Sequence, residues 1–374
     1  MAGLYIHIPF CTEKCFYCDF YSGNQLYLLD DYVDAICREI VIRCSYIIDN
    51  KLDTIYFGGG TPSLLREEHF VKIYNVIKSC FTLAEDVEIS IECNPENIDD
   101  TYVEQLWNVG FNRISLGIQF LDDGVLKKFN RNHSKELIFK ALSIINRSSF
   151  KNLSIDLIYS VPGVTDLALK NTLNLLRNYA IQHISAYCLT ISKNSQLYWK
   201  VKKGEFKENE EIVFLSQYRI IDDFCVANDF KQYEISNYAK DGYISKHNYS
   251  YWNQEIYLGI GVTAHSYNLI SRQWNHSNIK KYIRDSAFGL VDFEREELTD
   301  IQKYNEYIIL RLRTFQGISL TYVRTIFGEV IYNQFLSKIE TLLKQNHFNS
   351  MDDFIVPRRE DFLLSDYLAK RLMI

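Results

Sequence analysis

The sequence predicts an α/β fold: a partial (βα)6 barrel of the TIM type, open on one side, followed by a mainly helical C-terminal domain. Three observations lead there. Short β-rich runs alternate with amphipathic helical periods through the first 190 or so residues, the pattern of a parallel sheet covered by helices. Six such units follow one another at roughly 30-residue spacing, about the length of one strand and its return helix. Past that point the alternation gives way to a long amphipathic helix, an aromatic- and glycine-rich segment and a helical tail.

The elements follow in order. Residues 3–8 (GLYIHI) read as the first strand and 27–44 as the first helix. Strand 53–57 stops at Gly58-Gly59-Gly60 and leads to helix 66–80. Strand 87–92 precedes helix 99–110, and strand 113–119 precedes helical stretches at 122–129 and 134–147. Strand 153–159 runs into Val161-Pro162-Gly163 and helix 165–180, and 183–189 is the sixth strand. Helix 208–228 and strand 231–236 then close a core of residues 1–240. Residues 241–299 carry the stretch HNYSYW, and residues 300–374 form the tail. In that tail Tyr304, Tyr307, Ile308, Leu310 and Leu312 recur at roughly helical spacing, and Gly317 is placed to end the helix.

Composition narrows the function. Of 374 residues 47% are hydrophobic and 24% charged, as in ordinary globular proteins. A net charge of −6, from 41 basic and 47 acidic residues, argues against a nucleic-acid binder with a broad basic face. No apolar run approaches a membrane span, and the start of the chain has no basic leader. Nine cysteines, an odd number, fit a reduced compartment better than a disulfide framework. A cytoplasmic protein is expected.

Cys11, Cys15 and Cys18 form C-x3-C-x2-C directly after the first strand. Structural zinc wants four protein ligands, usually from paired knuckles. No second knuckle exists, although Asp19 or His7 could be recruited. Three inert thiols are a poor fit to a polar loop carrying Thr12, Glu13 and Lys14. A [4Fe–4S] cluster fits better: three cysteines leave one of four irons open. An open iron can chelate an amine and a carboxylate, and S-adenosylmethionine (SAM) offers both beside a sulfonium. An electron passing from cluster to sulfonium can cleave a C–S bond and give a 5′-deoxyadenosyl radical, chemistry that belongs to the cofactor.

With YIHIPFC, CFYCDF, IYFGGGTPS, SIECNPE, FNRISLGIQ, NRNHS, IDLIYSVPG, YEISNYA, HNYSYW and LGIGVTAHS in this order, the chain resembles the radical SAM superfamily over nearly its full length. Within it, the chain resembles the HemW-type heme chaperones, relatives of oxygen-independent coproporphyrinogen III oxidase (HemN). The resemblance implies a barrel with its site at the C-terminal strand ends, a [4Fe–4S] cluster on Cys11, Cys15 and Cys18, and bound SAM. It carries Tyr5, Tyr17, Gly59, Gly60, Thr61, Glu92, Gln119, Arg131 and Asp156 onto cofactor-binding positions. Glycines allow close backbone approach. No Lys-Ser/Thr follows them, so this is no phosphate loop. Carboxylates can hold ribose hydroxyls or an amine, Arg131 can meet the methionyl carboxylate, and Tyr17 can pack near the adenine. Cys93 and Cys188 lie near the same rim without an assigned role. Cys37, Cys44, Cys80 and Cys225 show no metal spacing.

Two functions stay open, a heme carrier and a radical enzyme acting on coproporphyrinogen III or a related tetrapyrrole. The oxidase family has a further cysteine where Phe20 stands here, and a longer segment ahead of YIHIPF. Both features favour the carrier. In HNYSYW, His247 is the expected axial heme ligand, with Tyr251 and Trp252 offering flat apolar faces. His265 is a second candidate, and His7, inside the first strand, reads as structural. The expected partners are heme, a heme-acceptor protein and a small electron donor such as a flavodoxin or ferredoxin.

Overall fold

The computed structural model describes the whole chain, Met1–Ile374. Six strands run parallel in sequence order: β1 (Ala2–Ile8), β2 (Lys51–Gly59), β3 (Thr82–Cys93), β4 (Arg113–Gln119), β5 (Leu153–Tyr159) and β6 (His183–Cys188). Helices Leu29–Arg43, Glu67–Cys80, Asp100–Val109, Lys135–Arg147 and Asp166–Leu176 make the crossovers. Their starts follow local chemistry. Asp99, Ser134 and Thr165 each accept the backbone N–H three residues on, which satisfies an otherwise orphaned donor. Gly110, at φ 117°, turns the chain out of its helix in the left-handed conformation.

The sheet does not close on itself. β7 (Lys231–Glu234) and β8 (Asn237–Ala239) form a hairpin, and β8 lies antiparallel to β6. At the other side β9 (Ile256–Ile260) pairs parallel with β1. β10 (His265–Tyr267), β11 (Ser271–Asn275) and β12 (Phe293–Glu297) then add antiparallel strands. The order is β12-β11-β10-β9-β1-β2-β3-β4-β5-β6-β8-β7, so two edges remain and the barrel is partial. Residues 241–299 extend the main sheet, because β9 docks on β1.

One apolar cluster of 62 buried residues spans Leu4 to Ile279. A second, of 14 residues from Tyr304 to Leu372, belongs to the tail. The tail holds helices Asp300–Arg311, Leu320–Lys344 and Ser365–Leu372. It also holds a small antiparallel sheet of β13 (Ile318–Ser319), β14 (Phe348–Met351) and β15 (Phe354–Pro357), in the order β13-β15-β14. Strands of two to four residues are too short to show alternation. Gly317 does not end the first tail helix, which stops at Arg311. It sits at φ 71° where a Cβ would collide with the Ile355 carbonyl.

The β9–β11 extension is bolted to the first helix by buried charge. Arg43 donates to Glu39 (3.1 Å), Ser266 (3.1 Å), Gln273 (2.7 Å) and the Gly259 carbonyl (3.3 Å). Glu39 accepts from the Gly261 amide (2.8 Å), Asn275 (2.7 Å) and the Tyr282 hydroxyl (2.6 Å). Glu39 is fully buried and Arg43 nearly so. Breaking one side of a buried pair strands the other charge, at a cost of about 3–5 kcal/mol. Glu39→Ala should therefore lower the unfolding free energy by about that amount, read as a lower urea midpoint with an unchanged slope.

Candidate functional site

Parallel strands deliver their C-terminal ends to one rim, and the candidate site is there. After β1, Pro9 and Phe10 lead into the loop of Cys11, Cys15 and Cys18. The Cys11 amide donates to Gly23 O and the Gly23 amide to Pro9 O (3.0 and 2.8 Å), closing the loop at its base. A cavity of about 430 Å³ opens under it. It is lined by all three cysteines and by Tyr17, Gly59, Gly60, Thr61, Glu92, Gln119, Arg131 and Asp156. Eight of the nine residues expected to hold the cofactor thus share one cavity with the three thiols. The ninth, Tyr5, does not line it. Tyr5 packs against Tyr56 and His247 (ring centroids 6.2 and 6.4 Å), which also stack on each other, and its hydroxyl bonds His7 Nδ1 (2.9 Å).

The thiols have donors aimed at them. The Thr61 hydroxyl donates to Cys11 Sγ and Arg131 to Cys15 Sγ, each at 3.4 Å. Arg131 is held by the Gly117 carbonyl (2.9 Å) and Asn94 Oδ1 (3.3 Å). Its Nε and the Tyr17 hydroxyl are buried without a partner. Unsatisfied buried donors are costly, and both residues line the cavity. Gln119 ends β4 in the left-handed conformation (φ 67°) at a register shift, and such strain gathers at functional sites.

The glycine run answers to the protein's own backbone. A Cβ on Gly60 would lie 2.7 Å from the Phe10 carbonyl and 2.8 Å from that of Ile8. A Cβ on Gly59 (φ +111°) would lie 2.5 Å from the His7 ring. These glycines let the end of β2 nest against the end of β1, which carries the cysteine loop.

Glu92 and Asp156 are the buried carboxyls of the cavity. Glu92 accepts from Tyr56 Oη (2.9 Å) and the Gly59 amide (3.0 Å), and Ser115 donates to Asp156 (3.0 Å). Burial first, then the Asp156 charge, pushes Glu92 up to about 7. Burial also raises Asp156.

His247 is elsewhere. It is buried in the barrel interior, at the level of Thr54, four residues before Gly58 on β2 and about 13 Å lower by strand rise. Nδ1 bonds Thr54 Oγ1 (2.7 Å) and Nε2 bonds Tyr251 Oη (2.8 Å). The ring stacks on Tyr56 at 5.0 Å, and burial lowers its pKa to about 3. As placed, neither nitrogen is free for iron. The short helix Lys246–Trp252 is pinned by Glu88, which accepts the amides of Lys246 and His247, each at 3.0 Å. This places Asn248, the next residue, in the cofactor cavity. His7 has both nitrogens engaged, by Tyr5 and by the Tyr21 carbonyl.

Sequence reasoning missed Tyr56, Ser115, Ser185, Tyr187 and Asn248, which also line the cavity together with Cys93 and Cys188. Ser115 and Ser185 left a usable trace: a lone serine inside an apolar strand run, two residues from a glycine on β4 or a tyrosine on β6, sits on the inward face. Asn248 left none, because its placement depends on Glu88, 160 residues away in sequence.

The raised Glu92 has a testable sign. A carboxyl protonated more readily when folded makes the folded state bind more protons, so stability falls with rising pH. For Glu92 the loss builds from its usual 4.5 to about 7 and then levels off. Glu234, also raised to about 7 by burial, adds a parallel loss. Glu92→Gln should therefore flatten part of the decline in apo-protein melting temperature between pH 5 and 8. An unchanged slope would mean that Glu92 is ionised throughout that range.

A family model of the radical SAM superfamily matches residues 5–176. The heme chaperone HemW of Bacillus subtilis is 30% identical over 372 residues, 98% of this chain and 97% of its own. That of Synechocystis is 36% identical over 328 residues, covering 85% and 79%. Among solved structures, the coproporphyrinogen III oxidase HemN of Escherichia coli superposes with a TM-score of 0.86 at 21% identity, covering 100% of this chain and 90% of the other. That likeness is one of fold. The conserved architecture, the cysteine loop and the full-length relationship agree, and the chain belongs to the HemW family of the radical SAM superfamily.

Proposed function

We propose that this protein is a heme carrier built on a radical SAM framework. It holds a [4Fe–4S] cluster on Cys11, Cys15 and Cys18 and SAM beside it, and it binds heme for delivery to an acceptor protein. The observation that carries the reading is the relationship to named heme chaperones over 98% of the chain. Phe20 adds to it. This residue stands where the oxidase family has a further cysteine, and it is 61% exposed at the cavity mouth.

The residues fit the cofactor pair. Thr61 and Arg131 donate toward cysteine sulfur, and hydrogen bonds to ligating sulfurs tune a cluster. Arg131, with its free Nε, suits the methionyl carboxylate. Glu92 and Asp156 accept hydroxyl or amine donors, and Tyr17 supplies a flat wall and an unused hydroxyl. When bound, the pair supplies reductive C–S cleavage at the sulfonium. What the chain itself does is hold the ends of that ligand, bury the reacting region and keep its donors aimed. A small flavodoxin- or ferredoxin-type donor would supply electrons. No helix is long and apolar enough to cross a membrane, in keeping with a cytoplasmic carrier.

Two experiments test this. Cys11, Cys15 and Cys18 replaced together by alanine should give, after anaerobic reconstitution, neither brown absorbance nor the roughly four irons per chain of such a cluster. Full cluster retention would refute the assignment. The competing oxidase reading is examined by incubating reconstituted protein with coproporphyrinogen III, reductant and SAM. The carrier reading expects no catalytic formation of protoporphyrinogen, together with heme transfer to an apo-acceptor. Turnover would overturn it.

A further inference from the structure

We propose that the outer flank of the cysteine loop is a docking face for a small acidic one-electron carrier protein. Helix Gln196–Lys202, the C-terminal end of helix Asp123–Lys128 and Phe16 build this face. The proposal rests on the reading that Cys11, Cys15 and Cys18 hold a cluster, and it names where an electron enters.

The cysteine loop has two sides. Every residue from Glu13 to Phe20 except Phe16 lines the cofactor cavity. Phe16 turns the other way. Its amide donates to the Phe129 carbonyl (3.2 Å), and its carbonyl accepts the Leu197 amide (2.7 Å). Two helical segments are thus fastened through their backbones to the residue next to Cys15. Phe129 packs on Tyr17 and Phe206 (ring centroids 6.2 and 5.0 Å) and fills the space beneath. A partner seated on helix Gln196–Lys202 is therefore one hydrogen bond and one residue away from a cysteine of the loop.

Charge on this flank runs against that of the whole chain. The net charge is −6, yet residues 193–207 hold five lysines against one acid, Glu205. Glu205 pairs with Lys200 (2.8 Å). The acidic run Glu208 to Glu211 leads into the next helix, with Glu210 at 3.9 Å from Lys207. Lys127, Lys128, Lys202 and Lys203 are exposed and form no ion pair. Several of the lysines lie on aromatic rings. The Lys200 ammonium sits over Phe16 at 4.5 Å, Lys128 over Phe206 at 4.6 Å and Lys202 over Tyr198 at 5.7 Å. Such contacts hold a cation in place on an otherwise mobile stem. Among them Trp199 is 61% exposed, edge-on to Tyr198 at 5.3 Å.

An exposed tryptophan ringed by fixed cations has the parts of a transient interface. An aromatic anchor supplies binding energy, and the surrounding charges steer the approach and set the partner's sign. Redox encounters bury little surface, on the order of 1,200 Å² or less, which one aromatic and its lysines can supply. The complementary partner carries carboxylates around a redox group near its own surface. It gives up one electron, the cluster gains that electron, and no bond forms or breaks.

The test uses the anaerobically reconstituted protein and an acidic flavodoxin. Calorimetric titration with the oxidised flavodoxin should show saturable binding that weakens as salt rises from about 0.05 to about 0.5 M. Lys202→Glu combined with Lys203→Glu should bind at least about tenfold more weakly and lose most of the salt dependence. Lys127→Glu combined with Lys128→Glu, on the other helix, should act in the same direction. Trp199→Ala should weaken binding and keep the salt dependence. Lys280→Glu combined with Lys370→Glu, an equal charge change at exposed positions elsewhere, should bind as wild type. Reduced flavodoxin should bleach the cluster absorbance more slowly in the weakened variants. Dithionite, which needs no docking face, should bleach every variant alike, and heme titration should be unchanged throughout. Wild-type affinity in both lysine pairs, or an equal loss in the control pair, would overturn the docking face. A wild type that holds no cluster would instead refute the cluster reading beneath it.

Discussion

The arrangement depends on the Glu39–Arg43 pair, buried between the first helix and the strands that extend the sheet. It satisfies five backbone or side-chain groups of β9, β10, β11 and the turn between β9 and β10. Beside it the Tyr32 hydroxyl donates to the His7 carbonyl and accepts the Val262 amide, each at 3.0 Å. One polar hub thus holds the end of β1, which delivers the cysteine loop, and the turn that delivers β10. A buried ion pair is weak evidence of extra stability, since desolvation offsets most of its Coulomb energy. Its clearer effect here is register: the hydrogen bonds are met only when β9 lies parallel to β1 in one alignment.

Most of the fold was legible because local signals and tertiary packing agree. The six parallel strands read as apolar runs since both faces are covered, and the last three crossover helices carry side-chain caps at their starts. The cofactor set was legible for a similar reason. Strand ends in a parallel barrel converge, so polar residues just after apolar runs meet. The less legible parts answer to contacts distant in sequence. β9 looks like one more aromatic segment until β1 provides its partner. The tail sheet has strands too short for a period. The glycine run signals close approach, but sequence alone does not say to what. Gly60 is pressed by Phe10 and Ile8, so the crowding is internal to the protein.

Two histidines show how neighbours in sequence and neighbours in space differ. HNYSYW singles out His247 by its neighbours in sequence, yet its neighbours in space are Thr54, Tyr56 and Tyr251. These occupy both ring nitrogens and cover the ring. His265 lies in an ordinary-looking Thr-Ala-His-Ser stretch. Its ring stacks on Trp274 at 6.1 Å, but neither ring nitrogen has a hydrogen-bond or ion-pair partner, a difference visible only once every other histidine has been placed. Conversely, the motif does contribute to the cofactor cavity, through Asn248. Glu88 sets the helix so that consecutive residues face different compartments.

The two compartments also differ in how they would hold a ligand. The cofactor cavity lies inside the barrel rim, closed by the cysteine loop and walled by buried carboxyls and a buried guanidinium. A ligand there would be enclosed by the loop and by these side chains. A second hollow, of about 970 Å³ and lined by Tyr251, Tyr257, His265 and Trp274 among others, lies toward the sheet edge. Its outermost strand, β12 (FEREE), is exposed along its whole length and charged at four of five positions, a composition that discourages strand pairing with another chain. Asp19 and Phe20, at the end of the cysteine loop, form the partition between them.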